Sequence, residues 1–358
     1  MGGRKLRIVV MDSRYFGHQT LEPEVFWDEW QTAVERGDRS LWFACIGPRS
    51  SAINPYLWDL SKKKLPVLPS WFVTSIAHWK VRFEFRFIDL RDASIYRLNL
   101  LTVRATSLPL EGPVSARRHA ILDHLDEPVR PYVVFTVREF DSLDQENDLR
   151  NRRIIDLHPG MSELVSRGFN VIRLMSKTKD PLTVVDPNLL DWQVERDGEP
   201  GDELALMSGA AFVVSTTTGG DCLALAYRRP VLYLDCFRFP LVFLGTELAT
   251  FSVPLMCDSH TGDRLGLSEI LDRGLGWVGD QRLFARAGVL VSQSDPQRIR
   301  TQIAQYAEGL SVSKLPNRDP AQQLWRDLLV ARLGSEIVER HGEIRANMLR
   351  SCIPEFVT

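Results

Sequence analysis

In the stretch "AAFVVSTTTGGDCLALAYRRPVLYLD", residues 210–235, an apolar run empties into hydroxyl and glycine residues and then resumes. A strand-to-helix turn of this kind presents backbone N–H groups and the positive end of a helix dipole, which together suit a phosphate. Thr216, Thr217 and Thr218 add hydroxyl donors, while Gly219 and Gly220 let a ligand approach the backbone closely. Asp221 carries a negative charge beside that site and must turn toward a ribose or the helix backbone. The pattern is neither GxGxxG nor a P-loop with Lys-Ser/Thr, so hydride transfer and ATP hydrolysis gain no support. A nucleoside diphosphate is the natural guest; the competing reading is a tight connection capped by Thr or Asp.

Other charged residues can converge on the same place. Arg138 follows the apolar "VVFTV", so a parallel sheet brings it to the edge that carries the Thr-Gly turn. There its guanidinium can fork onto a diphosphate, or pair with Glu139 or Asp141 at the surface. Arg173 interrupts the apolar strand "NVIRLMSK" and is costly to bury alone, so it calls for a phosphate or a carboxylate; Lys177 lies just beyond it. For proton transfer the leading residue is His18 in "FGHQT", in a loop past the first apolar run. Asp12 can orient it or act as the base itself, and Glu139 competes for that role. The other histidines are scattered and no HExxH cluster occurs, so the reading includes no metal and no cofactor beyond a nucleotide co-substrate.

Residues so far apart need a fold that gathers them, and 358 residues suit two domains. With 44% apolar and 25% charged residues, the chain is an ordinary globular one. Its 44 basic and 46 acidic residues leave no electrostatic footprint for nucleic acid. Five widely spaced cysteines without a CxxC pair read as buried thiols in a reducing compartment. No apolar run approaches the ~20 residues that span a bilayer, and the start "MGGRKLRIVVMD" lacks a secretory cleavage pattern. The expectation is a cytoplasmic protein without a transmembrane segment, with homo-oligomerisation left open.

The run "LRIVVMD" predicts a buried parallel strand, "PEVFWDEWQTAVERG" a helix with Phe26, Trp30 and Val34 on one face, and "SLWFACIG" a second strand, together one βαβ unit. Residues 108–131 carry four prolines and read as the connection between domains. The order strand, loop, helix, strand restarts at "YVVFTVRE" and continues through "FNVIRLM", "DELALMSG", "AAFVVS" and "PVLYLD". The expected fold class is therefore α/β, with two Rossmann-like doubly wound domains facing each other across a cleft, the GT-B architecture. The expected divisions are 1–125 for an acceptor domain, 126–335 for a donor domain, and 336–358 for a tail packing back on the first.

The same stretches carry a family resemblance. "YVVFTVRE", "LRNRRI" with Arg150 and Asn151, "SRGFNVIRLMSK", the run from "GDELALMSG" to "PVLYLD" and the closing "SCIPEF" resemble a family of bacterial glycosyltransferases of surface-carbohydrate and specialised-metabolite gene clusters. The likeness covers the second half strongly and the first half loosely. The Val-Arg element is also similar to the arginine motif of fucosyltransferases with this architecture. The resemblance implies Arg138 as donor clamp, Ser215 to Gly220 as diphosphate loop, a nucleotide-sugar donor, and a small-molecule or glycan acceptor. The chain departs from the family where Thr218-Gly219-Gly220 replaces a Ser-Gly pair and where Met175 replaces a glycine. Two other readings stand beside it: a nucleotide-sugar 2-epimerase of the same fold, and a non-catalytic nucleotide-sugar-binding protein.

Overall fold

The computed structural model describes residues 6–11, 16–68, 83–87, 106–139, 147–175, 180–194, 198–199, 201–239, 248–312, 327–328 and 331. The expected tail over 336–358, with its closing "SCIPEF", lies outside the described residues.

The first half begins with β1 (Leu6–Met11), α1 (Phe16–Glu35) and β2 (Leu41–Ile46), the expected βαβ unit. It continues with α2 (Pro55–Lys64), β3 (Val67–Leu68) and β4 (Phe83–Phe87). These strands pair in parallel in the order β3-β2-β1-β4, with Leu6 between Leu41 and Phe83. Within the proline-containing stretch 50–71, Asn54 caps α2 by accepting from the Leu57 N–H at 3.1 Å, and Pro55 opens the helix where no N–H partner is needed. Helix α1 starts earlier than the apolar spacing implied, so His18 stands in its first turn rather than in a loop. Its apolar face fades toward the end: Phe26 is fully buried, Trp30 is half-buried, and Val34 is 57% exposed. Gly37, at φ +74°, supplies the left-handed stop.

The proline-rich connection is not all loop. Pro113 sits at the first position of α3 (Pro113–Leu122), where its fixed φ favours a helix. Beyond it come β5 (Tyr132–Thr136), α4 (His158–Ser166), β6 (Asn170–Met175), β7 (Leu189–Gln193), α5 (Asp202–Gly209) and β8 (Phe212–Ser215). Then follow α6 (Gly220–Ala226), β9 (Val231–Tyr233) and β10 (Ala249–Phe251). The six strands are parallel in the order β10-β9-β8-β5-β6-β7. Counted from β5 and read from β7, that order is the 3-2-1-4-5-6 of a doubly wound nucleotide-binding sheet.

Alternation along the strands fills both faces. Val134, Ile172, Val213 and Val231 face a core that includes α5 and α6, whereas Val133, Phe135, Val171 and Phe212 face Met161 and Leu164 of α4. That second face is completed by α9 (Pro296–Val312), whose Ile299, Ile303 and Tyr306 are buried there. Between the sheet and α9 lie β11 (Leu255–Asp258), α7 (Leu267–Asp272), α8 (Gln281–Arg286) and β12 (Val289–Ser292), with β11 and β12 forming an antiparallel ribbon.

Candidate functional site

In a sheet of this order, β5 and β8 are the neighbours from which the strand order runs in opposite directions, and ligands bind beyond the carboxyl ends of strands at such a point. Thr136 and Ser215 end these two strands in register. Immediately beyond, the Arg138 N–H donates to Thr216 Oγ1 at 2.8 Å, and the Thr216 N–H donates to the Thr136 carbonyl at 3.2 Å. The turn is held from within: Ser215 Oγ accepts from the N–H groups of Thr217 and Thr218 and donates to Asp221 Oδ2 at 3.2 Å. Thr218 Oγ1 accepts from the Gly220 N–H at 3.2 Å.

Two features of this edge are unusual for a strand-to-helix connection. Thr217 adopts a left-handed backbone at φ +63°, which a β-branched residue reaches only with strain. The hydroxyls of Thr136 and Thr217 are both buried without a hydrogen-bond partner among the described residues. An unmet buried hydroxyl costs about 1–3 kcal/mol, a cost that a ligand oxygen would relieve.

The glycines of this edge let neighbouring segments pack closely. A methyl group on Gly219 would come within 3.2 Å of the Gly17 nitrogen, and one on Gly17 within 2.9 Å of Cys222 Sγ. Gly219 and Gly17 therefore allow the first turn of α1 to abut the start of α6. Gly220 lies against Thr136, whose Cγ2 would be 2.9 Å from an added methyl. This contact brings the turn that carries His18 beside the Thr-Gly segment. Asp221 is buried and turned inward; burial pushes its carboxyl up to about 7, opposed by Ser215 and by backbone N–H groups of the turn.

Arg138 is 29% exposed, with Nε 3.6 Å from Asp148 Oδ2. Arg150 grips the same carboxylate at 2.6 Å, and the Arg152 N–H donates to the Arg138 carbonyl at 2.8 Å. Burial raises Asp148, but the hydrogen bonds and charge of Arg150, with the charge of Arg138, hold it below the usual carboxylate range. Asp148 was missed from sequence because its partners are set by tertiary pairing: residues 147–149 run beside 279–281, with the Leu149 N–H donating to the Gly279 carbonyl at 2.8 Å.

Arg173 and Glu139, expected in separate roles, meet each other. The Arg173 guanidinium is fully buried, paired with Glu139, 3.7 Å from Asp191, and bonded to the Asp180 carbonyl at 2.7 Å. It meets the carboxylate that the sequence called for. Asp12 and Lys177 lie outside the described residues, as does the side chain of His18. Among the described residues no group of three or more His, Cys, Asp or Glu is placed to hold a metal ion, and no helix is long and apolar enough to cross a membrane.

No family model matches the chain, and no curated protein matches it significantly. Among solved structures it is similar to the E. coli ADP-heptose lipopolysaccharide heptosyltransferase II, at 10% identity over 85% of this chain and 99% of that one, with a TM-score of 0.46. The dodecameric iron-containing heptosyltransferase TibC in complex with ADP-D-beta-D-heptose is 12% identical over 86% of this chain and 76% of that one, with a TM-score of 0.45. The glycosyltransferase SnogD from Streptomyces nogalater is 11% identical over 87% of this chain and 100% of that one, with a TM-score of 0.35.

Proposed function

We propose that this chain is a metal-independent glycosyltransferase that moves a sugar from a nucleoside diphosphate-sugar to an acceptor hydroxyl or amine. The observation that carries the reading is the joining of Arg138 to Thr216 at the switch point of a 3-2-1-4-5-6 parallel sheet. Its sequence counterpart is the resemblance that runs through the same two strands.

In the reaction, the acceptor oxygen or nitrogen forms a bond to the anomeric carbon while the bond from that carbon to the diphosphate breaks. The diphosphate leaves with the electron pair, and the acceptor proton passes to a base. Arg138 and the Thr216, Thr217 and Thr218 segment hold the departing diphosphate, with the unmet hydroxyls of Thr136 and Thr217 available to its oxygens. Fixed donors aimed at developing charge lower a barrier most when they need not reorganise. His18 is assigned as the base because α1 brings its turn against this segment, and Asp12 is assigned to orient it. Glu139 and Arg173 hold each other, and so position the start of the 138–139 segment. The first half supplies the acceptor surface, for a small molecule or glycan. Buried, unbridged Cys45, Cys222 and Cys236 are consistent with work in the reducing cytoplasm.

The test is an incubation with nucleotide-sugars, with and without a panel of acceptors. Transfer that needs the acceptor supports the assignment. Epimerisation of donor alone identifies a 2-epimerase instead, and tight donor binding without turnover identifies a binding protein. Arg138→Ala should weaken nucleoside diphosphate binding about ten- to a hundredfold, the loss of charge-assisted hydrogen bonds.

A further inference from the structure

Arg238 is set five residues beyond the end of β9, on the same carboxyl edge of the sheet as Arg138 and the Thr-Gly turn. Its backbone is left-handed, at φ +53°. Three of the four non-glycine residues with positive φ among the described residues, Thr217, Asp235 and Arg238, stand just past the ends of β8 and β9. Strain gathered at one edge, rather than spread over the molecule, points to a place where side chains are aimed for binding.

The carboxylates nearest Arg238 are bonded to other arginines. Asp148 gives both oxygens to Arg150, and Asp280 gives both of its oxygens to Arg282, at 3.1 and 2.7 Å. Arg238 itself makes no hydrogen bond or ion pair among the described residues, although Asp148 and Asp280 attract it from a distance. Burial lowers its hold on the proton, and the neighbouring Arg150 lowers it further. The side chain lies close against Gly279: a methyl group there would come within 2.6 Å of its Nε. A half-buried cation beside a second cation, on a strained backbone and without its own counter-ion, is an arrangement that an anion stabilises.

We propose that Arg238 and Arg138, flanking Asp148, form the two arms of a seat for a diphosphate, with Arg150 holding Asp148 between them. This deepens the assignment of the donor site by naming the cation opposite Arg138, and it rests on that reading only for the sugar attached to the diphosphate.

The test is calorimetric titration of the full chain with inorganic pyrophosphate, and separately with inorganic phosphate. Arg238→Asn removes the cation while installing a residue that tolerates the left-handed backbone, so the fold should melt no lower than wild type. Pyrophosphate affinity should fall about ten- to a hundredfold. Gly279→Ala keeps the charge but displaces the side chain, and should weaken binding in the same direction. Arg300→Gln, on α9, should leave affinity unchanged. Tighter binding of pyrophosphate than of phosphate is the expected order for a two-armed seat. Absence of saturable pyrophosphate binding in wild type, or wild-type affinity in Arg238→Asn, overturns the proposal; a lowered melting temperature with unchanged affinity assigns Arg238 a structural part instead. Pyrophosphate binding that depends on Arg238, in a protein without sugar transfer, would uphold this seat while removing the transferase assignment.

Discussion

The backbone N–H of Arg138 donates to Thr216 Oγ1 across 2.8 Å, so the ends of β5 and β8 are tied by one side-chain hydroxyl. Thr216→Val keeps the shape and removes the acceptor. Leaving the Arg138 N–H unmet should cost about 1–3 kcal/mol, read as a lower urea midpoint with unchanged slope. Nucleoside diphosphate affinity should fall as well, because Arg138 loses its anchor; intact affinity in this variant would separate the tie from the clamp.

The Glu139–Arg173 pair distinguishes a structural carboxylate from a base. Removing one partner of a buried pair leaves a charge uncompensated, at a cost of about 3–5 kcal/mol, although Asp191 at 3.7 Å reduces it here. Glu139→Gln should therefore lower stability and weaken donor binding, while the pH profile of kcat keeps its wild-type shape. A stable Glu139→Gln protein with a collapsed kcat would transfer the role of base to Glu139.

Asp221 makes stability depend on pH. Its folded carboxyl is pushed up to about 7 from an ordinary 3.8, chiefly by burial. Below pH 4 the group is protonated in both the folded and unfolded chains. As pH rises the unfolded carboxyl ionises first, so stability is lost between about pH 4 and pH 7, by an upper bound on the order of 4 kcal/mol. Asp221→Asn, whose amide oxygen can still accept from Ser215 Oγ, should flatten this slope. It should be more stable than wild type at pH 8 by about 1–3 kcal/mol, a difference that chemical denaturation at pH 5 and pH 8 would register.

Close approach of α1 to α6 predicts a suppressor. Gly17→Ala places a methyl 2.9 Å from Cys222 Sγ and should destabilise by about 1–3 kcal/mol. Cys222→Ala removes the sulfur. The double variant should melt near Cys222→Ala alone; additive losses would mean that the two helices meet elsewhere.

Most of the second sheet was legible because its strands are buried on both faces and read as unbroken apolar runs, as in "YVVFT" and "FVVS". β7 was harder to see: "LLDWQ" lies at the sheet edge, half-buried, with polar residues breaking its apolar pattern. Helix α3 was hidden by the prolines around it, one of which begins it. The Thr-Gly turn announced itself, but the use of Gly17 and Gly219 did not, since close contact between distant segments leaves no mark in either one. Asp148 and Arg238 were silent for the same reason. Their significance depends on which carboxylates other arginines have already taken, and that is decided by three segments meeting in space.

Residues 106–112, which lead into α3, are held by groups from both halves. Glu24 of α1 accepts from the Ser107 N–H at 3.1 Å, and two residues later the Tyr227 hydroxyl donates to the Pro109 carbonyl at 3.0 Å. From there α3 is clamped to α5 by Arg117, which forks onto Asp202 at 2.6 and 3.1 Å. A link pinned this tightly on both sides has no slack to pay out. Leu108 is buried between these two bonds, so a proline or glycine introduced there should loosen the link itself, read as a lower melting temperature with the Arg117–Asp202 fork intact.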